Sequence, residues 1–151
     1  MKKYELTDDT ITVGGRILHR IKALKSFSDV EEGDLGGYVE KEDNLDHSGE
    51  AWVSGDARVY GNARVYGDAR VYGNAWVSGE NDYAAAKGFG REYRTTTFFR
   101  LQDGGIGVRC GCFCGTLEEF REKVKETHKE SKMGKEYLML ADLMEYKFKN
   151  A

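Results

Sequence analysis

The stretch from His47 to Asp82 divides into six consecutive hexads, HSGEAW, VSGDAR, VYGNAR, VYGDAR, VYGNAW and VSGEND, and these decide the fold. Val recurs at 53, 59, 65, 71 and 77, Gly at 49, 55, 61, 67, 73 and 79, and Ala at 51, 57, 63, 69 and 75. Neither a helix nor a meander of hairpins has a strict period of six. It is a signature of β-helix solenoids, in which each hexad makes a short strand and a turn and successive coils bury a common core. Val and the Ala four residues later form the inward pair. The Gly between them permits a corner with positive φ, and the following Asp or Asn tolerates the same bend.

The unit V-x-G-[DN]-A-x resembles the hexapeptide repeat of left-handed parallel β-helix proteins, in which three hexads complete one triangular coil. On that resemblance residues 18 apart stack. Arg64 then lies between Asp46 and Asp82, Arg58 beside Trp76, and Trp52 beside Arg70, giving an ion ladder and two cation–π contacts of roughly 0.5–1 kcal/mol each. Tyr60, Tyr66 and Tyr72 point outward, one per face.

Residues 29–46 span the length of one further coil, with Leu35, Val39 and Leu45 in the inward phases. They read as a degenerate coil that closes the solenoid, as terminal repeats do. Three coils at about 4.8 Å each make a stub roughly 14 Å tall. Ahead of them, residues 1–28 hold two β-rich runs separated by Gly14-Gly15, a hairpin signal. Ile17, His19 and Ile21 are expected on one face of the second strand, which makes His19 a partly buried, hydrogen-bonded histidine.

The period fails after Glu80. Residues 83–92, with Ala84-Ala85-Ala86 and then Gly88 and Gly90, read as a linker. Residues 93–151 read as a small ββαα module: strands Tyr93 to Arg100 and Ile106 to Cys114 about the turn Asp103-Gly104-Gly105, then two helices. Thr116-Leu-Glu-Glu119 is a capping box opening the first helix, with Leu117, Phe120 and Val124 on one face. Tyr137, Leu140, Ala141, Met144 and Phe148 form the stripe of the second. The predicted fold is therefore mainly β, with an N-terminal hairpin, a short β-helix over 29–82 and a small α+β unit.

A chain of 151 residues, 40% hydrophobic and 32% charged, is ordinary for a soluble protein. Its net charge of −3 argues against general nucleic-acid binding. No apolar run approaches the length of a membrane span and no signal peptide is evident, so the expected location is the cytoplasm, with no membrane partner. Three cysteines in C-x-C-x-C fit a reducing compartment.

Three sets of residues are candidates for chemistry. Cys110, Cys112 and Cys114 share one face if their strand is regular, with sulfurs about 6.6–6.8 Å apart per step. They are either packed small hydrophobes or, with His128 as fourth ligand, a metal site. His47 stands in the inward Val phase above Val65, where a buried or end-capping role competes with that of a general base. The outward Trp52, Arg58, Tyr60, Arg64, Tyr66, Arg70, Tyr72 and Trp76 suit a nucleotide, because Arg pairs with phosphate and rings stack on bases. They equally suit a self-association surface. The basic run of Lys123, Lys125, Lys129, Lys132 and Lys135 reads as a solvated edge.

The wording RILHRIKAL, GDLGGYVE and NLDHSGEAWV is similar to that of a group of hexapeptide-repeat proteins of bacteria, phages and prophages, some described as acyltransferases by analogy. CGCFCGTLEEF is likewise similar to C-terminal segments of phage-borne proteins. This resemblance implies a homotrimer and a phage setting, while the Arg and aromatic stripe, with no credible catalytic set beside it, points to a non-catalytic binding protein without a cofactor. In that role it would be a counter-defence factor in the host cytoplasm that sequesters a nucleotide signal or blocks a host immune protein. The alternatives are an acetyl-CoA-dependent acyltransferase with His47 as base, and an oligomerisation stalk that displays the C-terminal module.

Overall fold

The computed structural model describes residues 2–111 and 113–149. The N-terminal hairpin pairs β1 (Tyr4–Val13) with β2 (Arg16–Ala23) around Gly14 and Gly15, both at positive φ. Strand β3 (Leu35–Val39) joins β2 in antiparallel fashion and then begins the repeat. The coils carry two-residue strands, β4 (Trp52–Val53), β5 (Arg58–Val59), β6 (Arg70–Val71) and β7 (Trp76–Val77). Val53 pairs with Val71 and Val59 with Val77, both in parallel and both 18 residues apart, so three hexads make one coil. Ala51, Ala57, Ala69 and Ala75 are fully buried between the valines, and corner glycines 49, 55, 61, 67 and 73 all have φ between 64° and 75°.

The first coil departs from that register. Val39 lies against Val59 and Leu45 against Val65, each a separation of 20 rather than 18. The two additional residues fall between Leu45 and Val53, and they move His47 out of the inward phase: Leu45, fully buried, takes the place over Val65. Leu35 is not inward either, being 60% exposed at the start of β3. On β2, irregular register in both of its pairings breaks the alternation, so Ile17 is exposed while Ile21 is buried. His19 is half-buried as expected, its Nδ1 3.0 Å from the Thr7 carbonyl oxygen.

Residues 83–89 are a strand rather than a linker. β8 (Tyr83–Phe89) is the edge of a four-stranded antiparallel sheet with β9 (Arg94–Arg100), β10 (Ile106–Cys110) and β11 (Phe113–Thr116), in the order β11-β10-β9-β8. The small side chains of the Ala run let this edge pass beneath a helix, and Ala84 packs against the helical core. The C-terminal unit is thus ββββαα. α1 (Leu117–His128) starts at the predicted capping box, with Thr116 and Glu119 bonded reciprocally, and buries Leu117, Phe120 and Val124. α2 (Lys132–Lys149) buries Tyr137, Ala141, Met144 and Phe148.

Strand β9 joins the two regions. Alternate side chains on a strand face opposite ways, so Phe98 enters the core beneath the helices while Phe99 enters the core of the solenoid, and both are fully buried. Tyr83 and Leu101 also pack on the solenoid side, and Ala75 bridges to Leu101. The C-terminal sheet therefore lies on the last coil and the solenoid shares its core with it.

Candidate functional site

The eight outward residues predicted to bind a ligand divide among three faces. On the face built from β3, β5 and β7, the register places Arg20, Tyr38, Arg58 and Trp76 in one row across four strands. The Arg20 guanidinium lies 4.3 Å from the Tyr38 ring centroid and that of Arg58 lies 4.8 Å from Trp76. The second of these is the predicted contact. Tyr60 sits half-buried farther along the same face. Arg20 is held further by Asp9, Asp56, the Gly36 carbonyl and the Tyr38 hydroxyl. Tyr38 and Arg20 escaped the sequence analysis because they precede the clean hexads.

The β4–β6 face carries the predicted Trp52–Arg70 pair in register, but the two do not stack. Trp52 is 4% exposed and lies edge-on to Phe27 at 5.3 Å and Tyr4 at 6.4 Å, so it is core and not ligand surface. Arg70 turns to Asp29 instead, at 2.7 Å. Tyr72 is half-buried edge-on to Phe99 at 5.2 Å, and burial together with neighbouring Cys114 raises its hydroxyl above the usual range. On the third face Arg64 is exposed and Tyr66 meets Tyr83 edge-on at 6.5 Å. The Arg64 ladder does not form. The extra residues of the first coil leave Asp46 opposite Tyr66, where it binds Ser48, and Asp82 is taken by Ser78 and Arg100.

His47 is a fastener. Its Nδ1 accepts the Lys3 amide at 3.1 Å, its Nε2 lies 2.8 Å from Glu42, and its ring stacks on Tyr4 at 4.2 Å. With both nitrogens and one ring face engaged, it ties the N-terminal strand to the first coil.

Cys110 and Cys114 do not share a face. Gly111 adopts φ 58° at the β10–β11 turn and resets the alternation. Cys110 points toward the helices, beside Thr96 and Tyr137, whereas Cys114 is exposed next to Tyr72. Cys112 lies outside the described residues. His128 packs on Tyr137 at 5.6 Å, and among the described residues no three metal-ligating side chains converge.

A cleft that the sequence did not reveal lies where the Ser28-Asp29 turn, the β4–β6 face and the C-terminal sheet meet. Its volume is about 400 Å³, and Arg70, Lys87, Arg94 and Arg109 line it together with Asp29, Glu50 and Asp68. Arg70 and Arg109 grip Asp29 through different oxygens, at 2.7 and 3.4 Å. Burial opposes ionisation of Asp29, but Arg70 and Arg109 outweigh it and hold the carboxyl below its ordinary range. Only Arg70 was singled out from the sequence, because the other cations lie outside the repeat.

A family model described as the YdcK β-solenoid repeat matches residues 51–65 and 63–79. No curated protein matches the chain. Within the matched residues Val53 stacks on Val71 and Val59 on Val77 at 18-residue spacing. The chain is mainly β, carries a β-solenoid repeat and ends in a two-helix segment. Among the described residues no helix is long and apolar enough to cross a membrane.

Proposed function

We propose that this chain is a non-catalytic binding protein that self-associates through its solenoid, as a left-handed homotrimer of the hexapeptide-repeat type. The observation that carries the reading is the row Arg20, Tyr38, Arg58 and Trp76. Two rings each have one face covered by a guanidinium, which leaves ring edges and N–H donors on a flat sheet surface. Aromatic and Arg side chains of this kind are enriched at the centres of protein interfaces. The row suits another protein surface better than a base, since the ring faces a base would stack on are partly used. The engagement of His47 favours binding over acyl transfer, because a general base needs a free nitrogen. A counter-defence role of a phage-borne protein is the wider setting this reading proposes.

Native mass spectrometry tests it. The wild-type chain is expected as a trimer at micromolar concentration, and Arg58→Glu as a monomer with unchanged circular dichroism. A wild-type monomer would overturn the self-association.

A further inference from the structure

We infer that the cleft between Arg70 and Arg109 is a binding site for a phosphate monoester of mononucleotide size. Arg70 and Arg109 come from different parts of the fold and are held in place. Arg70 is anchored through its backbone N–H to the Thr97 hydroxyl at 2.9 Å, and Arg109 through its Nε to the Gly111 carbonyl at 3.0 Å. Their side chains are only 15% and 23% exposed. Asp29, which they share, is 63% exposed and stands at the tip of a two-residue turn between Phe27 and Val30. The cations are therefore preset and the anion is the replaceable partner. Two guanidiniums converging on separate oxygens of one acidic group match phosphate as well as carboxylate.

The backbone supplies a second, independent observation. Among the described residues three non-glycine residues have positive φ, and two of them, Ser28 at 51° and Tyr93 at 53°, line this cleft. For a bulky aromatic residue that conformation is strained, and such strain concentrates at ligand sites. It sets the Tyr93 ring, 67% exposed, on the rim within reach of a base. The volume falls in the range of small-molecule clefts, about 300–1,000 Å³. With Asp29 turned out, Arg70 and Arg109 face the cleft, while Lys87 pairs with Asp68 at 3.3 Å and Arg94 with Glu92.

This site deepens the binding-protein proposal by naming a ligand class, and it rests on that proposal only in taking the chain to bind without reacting. Calorimetric titration of the full chain at low salt with inorganic phosphate, ribose 5-phosphate, AMP and adenosine tests it. AMP is expected to bind most tightly, ribose 5-phosphate and phosphate progressively less, and adenosine not at all. Arg109→Gln should weaken AMP at least about tenfold. Tyr93→Ala should weaken AMP about five- to tenfold and leave phosphate unchanged. Asp29→Asn should tighten every phosphate several-fold by removing the internal competitor, a gain that misfolding cannot imitate. No binding of any phosphate at millimolar concentration to wild type or Asp29→Asn would overturn the site and leave Arg70–Asp29–Arg109 a structural clamp. AMP binding indifferent to both Arg109→Gln and Arg70→Gln would overturn it too. A trimer that ignores phosphates sinks the cleft alone, whereas AMP chemically altered during the titration keeps the cleft and sinks the non-catalytic reading.

Discussion

The two ends of the solenoid are finished by different chemistry. At the first coil, carbonyl oxygens with no coil beneath them meet donors from the N-terminal strand: the Lys3 ammonium reaches Ala51 at 2.6 Å, and the Tyr4 hydroxyl reaches Leu45 at 2.6 Å. Asn44, fully buried, binds the Ala63 carbonyl with its amide nitrogen and the Lys41 N–H with its oxygen. At the last coil the cover is largely apolar, with Phe99, Tyr83 and Leu101 laid across the valine stack. Polar repairs there are the Thr97 hydroxyl accepting the Arg70 N–H, the Asp82 carboxylate accepting the Ser78 N–H and the Asn74 carbonyl accepting the Gln102 N–H at 2.8 Å. A parallel stack exposes both unpaired backbone groups and an apolar core at each end, and both liabilities must be met. One end meets them mainly with hydrogen bonds from side chains and the other mainly with aromatic area.

The apolar end should give the largest effect. Phe99→Ala removes a fully buried ring from the solenoid core and is expected to cost about 3–5 kcal/mol. Phe98→Ala, one residue away but under the helices, should cost a similar amount. Because both rings hang from β9, each variant should lower a single urea transition followed by circular dichroism. Two transitions in Phe98→Ala would mean that the C-terminal unit melts alone, and the sheet would then be a lid rather than part of the solenoid's core.

Much of the middle was legible in the sequence and little of the ends was. Val53, Val59, Val65, Val71 and Val77 each meet the same surroundings, so period alone fixes their direction. Residues used once carry no period. The displacement of His47 comes from two additional residues at one corner, and its structural task depends on Tyr4 and Lys3, more than forty positions away. Strand β8 was missed because an Ala-Ala-Ala run has low strand propensity, which packing under α2 overrides. The cleft was missed because Asp29 and Arg109 are 80 residues apart. Alternation places Cys110 and Cys114 on one face, and the turn at Gly111, at positive φ, puts them on opposite ones.

Corner glycines separate the middle of the stack from its last coil. A Cβ on Gly61 would lie 2.5 Å from the Ser78 carbonyl oxygen, whereas a Cβ on Gly73 meets nothing within 4 Å. Both positions have positive φ, 64° and 68°. Gly73→Ala should therefore cost only the left-handed strain, about 1–2 kcal/mol. Gly61→Ala adds a backbone overlap and should cost about 3–4 kcal/mol. Equal losses by urea denaturation would mean that successive coils are looser than their stacking implies.

The smallest effect distinguishes the polar end by pH. Lys3 is fully buried against Phe27, and burial is the main cause lowering its amine from 10.5 to about 8, with Arg70 and Lys25 adding to the fall and Asp46 and Asp68 opposing it. Below about pH 8 both folded and unfolded chains hold the proton, and the cost of burying the charge is fully present. Between about 8 and 10.5 the folded chain has released a proton that the unfolded chain keeps, so stability must rise with pH. The gain should be on the order of 1–3 kcal/mol. Tyrosines bring it to an end: burial raises Tyr83 to about 12 and raises Tyr4 as well, so once unfolded tyrosines ionise near pH 10 the slope reverses. Urea midpoints from about pH 7.5 upward should pass through a maximum near pH 10. Lys3→Met should abolish the rise and keep the later fall, since the apolar end and its tyrosines are unchanged. A rise that persists in Lys3→Met would place the titrating group elsewhere and remove the distinction between the two ends.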